Sequence, residues 1–143
     1  MSGETDIEKL IKGMKPILHD GTYVFVTIPT ADLLDDTKPT PTLNQCIGTF
    51  RETEGTTLVL EQGTADQFKL ECGNYKASWI TLSIHSSLEA VGLTAYFANL
   101  LAKASISCNV IAGYYHDHIF VDEDRAAEAM ELLQSVAGGG GDS

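Results

Sequence analysis

The chain is poor in cysteine, proline and positive charge, and each shortage excludes something. Its 143 residues include 3 cysteines and 4 prolines. Cys46, Cys72 and Cys108 stand far apart with no C-x-x-C spacing. A disulfide framework or a thiolate zinc centre is therefore not expected, and three buried, reduced thiols are. Lys and Arg number 9 against 20 Asp and Glu, a formal net charge of -11. The deficit runs through both halves, with 7 basic and 12 acidic residues over 1–76 and 2 and 8 over 77–143. A nucleic-acid or membrane-surface protein needs a basic face to displace counterions or meet anionic lipid, so neither partner is expected. Long apolar runs are missing too: Tyr23 to Ile28 and Ile106 to Ala112 fall well short of the ~20 residues a membrane-spanning helix needs. The start, Met1-Ser2-Gly3-Glu4, has neither the basic nor the apolar region of a secretory signal, which points to a cytoplasmic protein.

What is present suits a folded core, since 43% of residues are hydrophobic and a chain of this length buries about two-thirds of its unfolded surface. Ile7, Leu10, Ile11 and Met14 recur at helical spacing until Pro16, predicting a helix over 5–15. Tyr23 to Ile28 is β-branched and aromatic and Pro29 closes it, predicting a buried strand. From Thr30 to Asn44 no period is sustained, and a surface loop is expected. Ile47 to Arg51 and Thr57 to Leu60 form two extended runs around Gly55, predicting a hairpin. One or two helical turns are expected over Gly63 to Phe68, then a boundary at Cys72-Gly73-Asn74.

The second half is more regular. Ile80, Leu82 and Ile84 alternate with Trp79, Thr81, Ser83 and His85, giving a strand with one aliphatic and one mixed face. Ser86 with Glu89 matches a capping box, predicting a helix from Ser87 to Lys103. Its small stripe of Leu88, Val91, Ala95, Ala98 and Ala102 would lie on the sheet, widened by Leu93, Phe97, Leu100 and Leu101. Alternation over Ile106 to Ala112 and again over His118 to Val121 predicts two strands joined through Gly113-Tyr114-Tyr115. Asp122 caps a last helix carrying Ala126, Met130 and Leu133. The aliphatic strand face should meet Val91, Ala95, Met130 and Leu133.

Strand, helix, strand, strand, helix is most of a βαββαβ ferredoxin-like unit. The strings running from Ile80-Thr81-Leu82-Ser83-Ile84-His85-Ser86-Ser87-Leu88 to Ala95 and from Ile106-Ser107-Cys108-Asn109 to Val121 resemble a family of small ACT-domain proteins. So do Gly21 to Val26 and Thr49 to Leu60. Members of that family are described as tandem ACT-like units with regulatory or transport-related roles, and the layout is also similar to half of the arginine-sensing proteins that regulate growth signalling. The resemblance implies an α+β fold of two ferredoxin-like (βαββαβ, ACT) units in tandem, antiparallel sheets with helices on one face. It divides the chain into a degenerate ACT-like unit over 1–75, an ACT domain over 76–137 and a flexible glycine-rich tail over 138–143. The last strand of the second unit is not visible after Val136, so it is missing or comes from the N-terminal half.

The resemblance also implies a ligand site. ACT domains bind amino-acid effectors at the strand-to-helix turn, here His85, Ser86 and Ser87 with the helix start Leu88, Val91 and Gly92. Backbone amides there suit a carboxylate, although an ordinary N-cap is the plainer reading of the same residues. Asn109 and the stretch Ala112, Gly113, Tyr114, Tyr115, His116, Asp117 and His118 would hold the rest of the ligand. Tyr and His combine apolar bodies with polar tips, yet the two tyrosines equally suit a sheet edge or dimer interface. His116 and His118, with His85, also raise the alternative of a small metal-dependent enzyme, against which no fourth ligand or general base presents itself. Ser86, Ser87, His85 and Asp117 lack the elbow and oxyanion arrangement of a nucleophilic site. The expected protein is thus a non-catalytic regulatory module, without cofactor, resident metal or catalytic residue. It binds an amino acid or similar small molecule as a homodimer, and a purely structural dimerisation module is the third reading.

Overall fold

A computed structural model describes residues 3–84 and 92–137. Contacts divide the chain into two compact units: residues 21–77, and residues 1–20 together with 78–143. The chain-order division at residue 75 and this spatial division therefore differ over the first twenty residues. No helix among the described residues is long and apolar enough to cross a membrane.

The discontinuous unit contains helix α1 (Gly3–Lys12) and strand β1 (Lys15–Leu18) from the N-terminal segment. Three more strands are β5 (Ala77–Ser83), β6 (Cys108–Ala112) and β7 (Asp117–Asp122), with helices α4 (Leu93–Ala102) and α5 (Ala126–Val136). Its sheet runs β1-β5-β7-β6. The closing strand of this sheet is β1, antiparallel to β5 with Lys15 opposite Ser83 and Leu18 opposite Ile80. Pro16 is tolerated because this is an edge strand, where a missing N–H costs no ladder bond. Ile80, Leu82 and Ile84 pack with Phe97, Leu101, Ile119, Val121 and Leu133 in one buried cluster, joined by Ile11 and Met14.

Two expectations need correction here. Helix α4 begins at Leu93, with Gly92 as its N-cap at φ 89, a left-handed conformation that glycine adopts without strain, so it does not run on unbroken from an earlier start. The start predicted at Ser87 and its Ser86–Glu89 capping box lie outside the described residues. The stripe of small residues is not the buried face either: Ala95 and Ala102 are exposed, whereas Leu93, Phe97 and Leu101 are buried. Burying a large apolar side chain gains far more than burying a methyl, so the large residues set the phase of the helix. Met130 packs against the core as expected, and Val91 lies outside the described residues.

The inserted unit holds β2 (Tyr23–Ile28), β3 (Gly48–Arg51) and β4 (Thr56–Glu61) in the order β3-β4-β2, with α2 (Thr30–Leu33) and α3 (Gln62–Gln67). The β3–β4 hairpin has Gly48 opposite Val59 and Arg51 opposite Thr56. Val24, Val26, Ile28, Leu58, Leu60 and Ala65 form its core. The segment expected as loop over Thr30 to Asn44 carries one helical turn, α2, and the start of a 3-10 turn over Leu43–Gln45, the latter closed by a reciprocal Thr42–Gln45 capping box.

Candidate functional site

Alternation along β5 sends Ile80, Leu82 and Ile84 into the core and leaves Trp79, Thr81 and Ser83 on the opposite face, as the pattern predicts. On that face Thr81 Oγ1 lies 3.0 Å from His118 Nδ1, and the rings of Trp79 and Phe120 stack with centroids 6.3 Å apart. Moving up β5 from 79 to 81 is thus moving down β7 from 120 to 118, so the two strands run antiparallel. The end of β5 and the turn between β6 and β7 therefore share one end of the sheet. Because α4 feeds the start of β6 at the far end, its Gly92 end points the same way.

That turn is tight. Gly113 N–H donates to His116 O at 2.9 Å, and Ala112 sits opposite Asp117 in the ladder. A Cβ on Gly113 would meet His116 O at 2.9 Å and two ring atoms of His118 at 3.4 Å, so the position admits no side chain without a shift. Tyr114 and Tyr115 stand out from the turn, 78% and 74% exposed, their rings edge-to-face at 5.0 Å. Asn109 lies on the exposed side of β6 opposite Phe120. Burial raises the Asp117 carboxyl above its ordinary value, against the pull of His118.

His118 turns toward the sheet face and into a polar chain. Trp79 Nε1 donates to His118 Nδ1 at 3.1 Å. Indole N–H is a donor only, so Nδ1 carries the lone pair and the proton sits on Nε2. The Thr81 hydroxyl must then donate to Nδ1 as well, since an oxygen lone pair at 3.0 Å would repel it. This leaves Thr81 to accept from His19 Nε2, 2.7 Å away. His19 completes the cluster by stacking on Trp79, centroids 3.6 Å apart and planes at 13°. Burial lowers both imidazoles below their ordinary value. Neighbouring His116 and His19 push His118 further down while Asp117 opposes, and at His19 the opposing charge is Asp20. A neutral imidazole is what the hydrogen bonds require of His118, whose Nδ1 accepts.

Of the residues expected at the site, Gly92, Gly113, Tyr114, Tyr115, His116, Asp117 and His118 lie toward one sheet end, with Ala112 at the turn and Asn109 further along β6. His85, Ser86, Ser87, Leu88 and Val91 lie outside the described residues. For the metal alternative, no three His, Cys, Asp or Glu side chains among the described residues converge to hold an ion, and His118 Nδ1 is already bonded within the polar chain. Sequence reasoning passed over His19 altogether. No local signal marks it, because its hydroxyl partner is 62 residues away.

Family models described as ACT domain match residues 2–76 and 74–135. No curated protein matches. Among solved structures, a protein of unknown function from Vibrio cholerae, described as a possible transport protein, is 48% identical over 95% of this chain and 99% of that one, with a TM-score of 0.78. The aspartate kinase of Clostridium acetobutylicum shares the fold at 9% identity and TM-score 0.60, over 87% of this chain and 34% of that one. The regulatory subunit of aspartate kinase from Thermus flavus does so at 7% identity and TM-score 0.53, over 87% and 96%. ACT domains are in general regulatory, small-molecule-binding and non-catalytic. With one model over each half and the βαββαβ order closed by β1, the chain belongs to the ACT-domain family, as a tandem of two such units.

Proposed function

We propose that the protein is a non-catalytic regulatory module that binds an amino acid or related small zwitterion at the sheet end of the discontinuous unit, and that it works as a cytoplasmic homodimer. The observation that carries this reading is the meeting, at one sheet end, of the α4 start and the turn Gly113 to His118. Gly92 offers no side-chain cap, so the first amides of α4 suit a carboxylate. Asp117 and the polar tips of Tyr114, Tyr115 and His116 suit an ammonium and a side chain. The residues His85, Ser86, Ser87, Leu88 and Val91 complete the proposed site on its strand-to-helix side, and Asn109 and Ala112 flank it.

A thermal-shift screen over the common amino acids tests it, because a ligand bound only by the folded state raises the melting temperature, by about 2.7 kcal/mol of stability at a hundredfold excess over Kd. A dose-dependent rise with one amino acid is expected, and its loss in His116→Ala with a stability change under about 1 kcal/mol supports the site. No rise with any amino acid overturns the function. A large stability loss in His116→Ala with unchanged affinity overturns the site. A monomeric mass at micromolar concentration overturns the homodimer.

A further inference from the structure

In the inserted unit the connection from β2 to β3 covers the sheet far less completely than α4 does in the discontinuous unit. It has one four-residue helical turn and a three-residue 3-10 turn, where α4 has ten residues. The thin cover leaves a cavity of about 460 Å³ between this connection and the strands β3 and β4, within the ~300–1,000 Å³ of small-molecule pockets. Its lining is mixed, with Leu58 of the core and Leu33 and Cys46 packed against that core beside the hydroxyls of Thr49 and Thr56 on the strands. Asp35, Asp36 and Lys38 line it from the connection.

The connection holds its shape through its own bonds. Asp35 Oδ1 accepts from Thr37 N–H at 3.0 Å and from the Thr37 hydroxyl at 2.7 Å, and Lys38 pairs with Asp32 at 3.3 Å. That pairing commits the cavity's cation and leaves the charges of Asp35 and Asp36 in excess. The Thr37 bonds also hold the Asp35 carboxyl below its ordinary value, so it stays ionised. A chain of net charge -11 adds a field that favours cations. A metal ion fits poorly, since no three ligating side chains converge among the described residues. An organic cation with an aliphatic body suits this mixed, acidic lining.

We propose that this cavity is a second small-molecule site, taking a primary aliphatic amine whose ammonium meets Asp35 and Asp36 and whose carbon chain lies on Leu33 and Cys46. The site rests on the inserted unit alone and is independent of the amino-acid site above. The test is isothermal titration of the full chain with n-butylamine and 1,4-diaminobutane, with n-butanol and butyrate as uncharged and anionic counterparts. Mass spectrometry of alkylated Cys46 and Cys72 runs beside it. Saturable binding of an amine, with Cys46 but not Cys72 protected, is expected. Asp36→Asn touches none of the bonds that shape the connection and should weaken the amine by about tenfold, the scale of one charge-assisted contact. Cys46→Leu, which narrows the cavity with an apolar side chain, should also weaken it while the fold persists by circular dichroism. Equal binding of butanol or butyrate, unchanged affinity in Asp36→Asn, or no saturable binding of either amine overturns the proposal.

Discussion

Thr81→Val is the sharpest probe of the polar chain on the sheet of the discontinuous unit, because it removes one oxygen and keeps the shape. That oxygen lies 2.7 Å from His19 Nε2 and 3.0 Å from His118 Nδ1. Each bond is worth about 0.5–1.5 kcal/mol net, so losing two costs about 1–3 kcal/mol. The residue is only 6% exposed, and the valine methyl recovers about 0.8 kcal/mol by burial. A net loss of about 0.2–2.2 kcal/mol remains, centred near 1 kcal/mol, or roughly 3 °C in melting temperature for a chain of this size. Trp79 is the single tryptophan and bonds directly to His118, so its fluorescence follows unfolding at the perturbed place.

The pH dependence sharpens the test. Burial holds both imidazoles below the ordinary value near 6.5 that the unfolded chain has. Below about pH 6.5 the unfolded state therefore binds more protons than the folded one, and stability falls as pH falls. The contribution is fully present above about pH 6.5 and lost as pH drops through the lowered folded values. Asp117 acts with the opposite sign, its raised value lying above 3.8, so its effect belongs to more acid solution. Once His118 takes a proton on Nδ1 it can no longer accept from Thr81 or from Trp79, and the wild type loses one of the two bonds the variant already lacks. The gap between wild type and Thr81→Val should be widest at pH 7.5 and shrink toward pH 5. A gap under 1 °C at pH 7.5, or one that does not narrow with acid, refutes the hydrogen-bond assignment.

Leu82→Asp places an unpaired charge at a position 1% exposed and should cost several kcal/mol; an unmoved melting transition would show the core to be misplaced. Gly113→Ala drives a Cβ to 2.9 Å from His116 O and should destabilise by about 1–3 kcal/mol, read by urea unfolding, with a neutral result refuting the turn geometry. The Cys108 thiol, raised by burial to about 11, should be the slowest of the three to react with a disulfide reagent at pH 8, where about one molecule in a thousand is thiolate. Equal rates at Cys108 and Cys72 would contradict that burial.

Legibility in the sequence followed the range of the forces involved. Strand β2 matches the predicted Tyr23 to Ile28, since β-branched residues and the Pro29 stop act locally. The Asp122 cap is equally local, its side chain accepting from Asp124 N–H at 2.9 Å, although what it caps is the 3-10 turn Glu123–Arg125 that leads into α5. Strand β1 was not legible: Lys-Pro-Ile-Leu reads as a helix stop, and only its ladder with β5 makes it a strand. Of the face expected on α4, Leu93, Phe97 and Leu101 are buried while Ala95 and Ala102 are exposed, because area buried and not small size sets the phase. At the site, the Gly113 to His118 cluster was visible as a dense run of functional side chains. Its tie to His19, Trp79 and Thr81 depends on pairing across the sheet, which no window of sequence contains.

The N-terminal origin of β1 bears on how the discontinuous unit forms. Its β1–β5 ladder brings Leu18 to Ile80 across an unfolded loop of some sixty residues, whose closure costs about 3–4 kcal/mol beyond a constant. The inserted unit lies wholly within that loop and pairs its own ends, with Tyr23 opposite Ala77. If the inserted unit folds first, the chain ends that must become β1 and β5 are already adjacent and most of that entropy has been spent in forming local hairpins. The expected order is therefore the β2–β4 and β3–β4 ladders first and β1–β5 afterwards. Pulse-labelling hydrogen exchange during refolding reads this directly: amides of Val24 to Ile28 and Thr57 to Leu60 should be protected before those of Ile17, Leu18, Ile80 and Leu82. A Leu58→Ala variant should then slow the protection of β5 as well as of β4, and protection of β5 at the wild-type rate in that variant would refute the order.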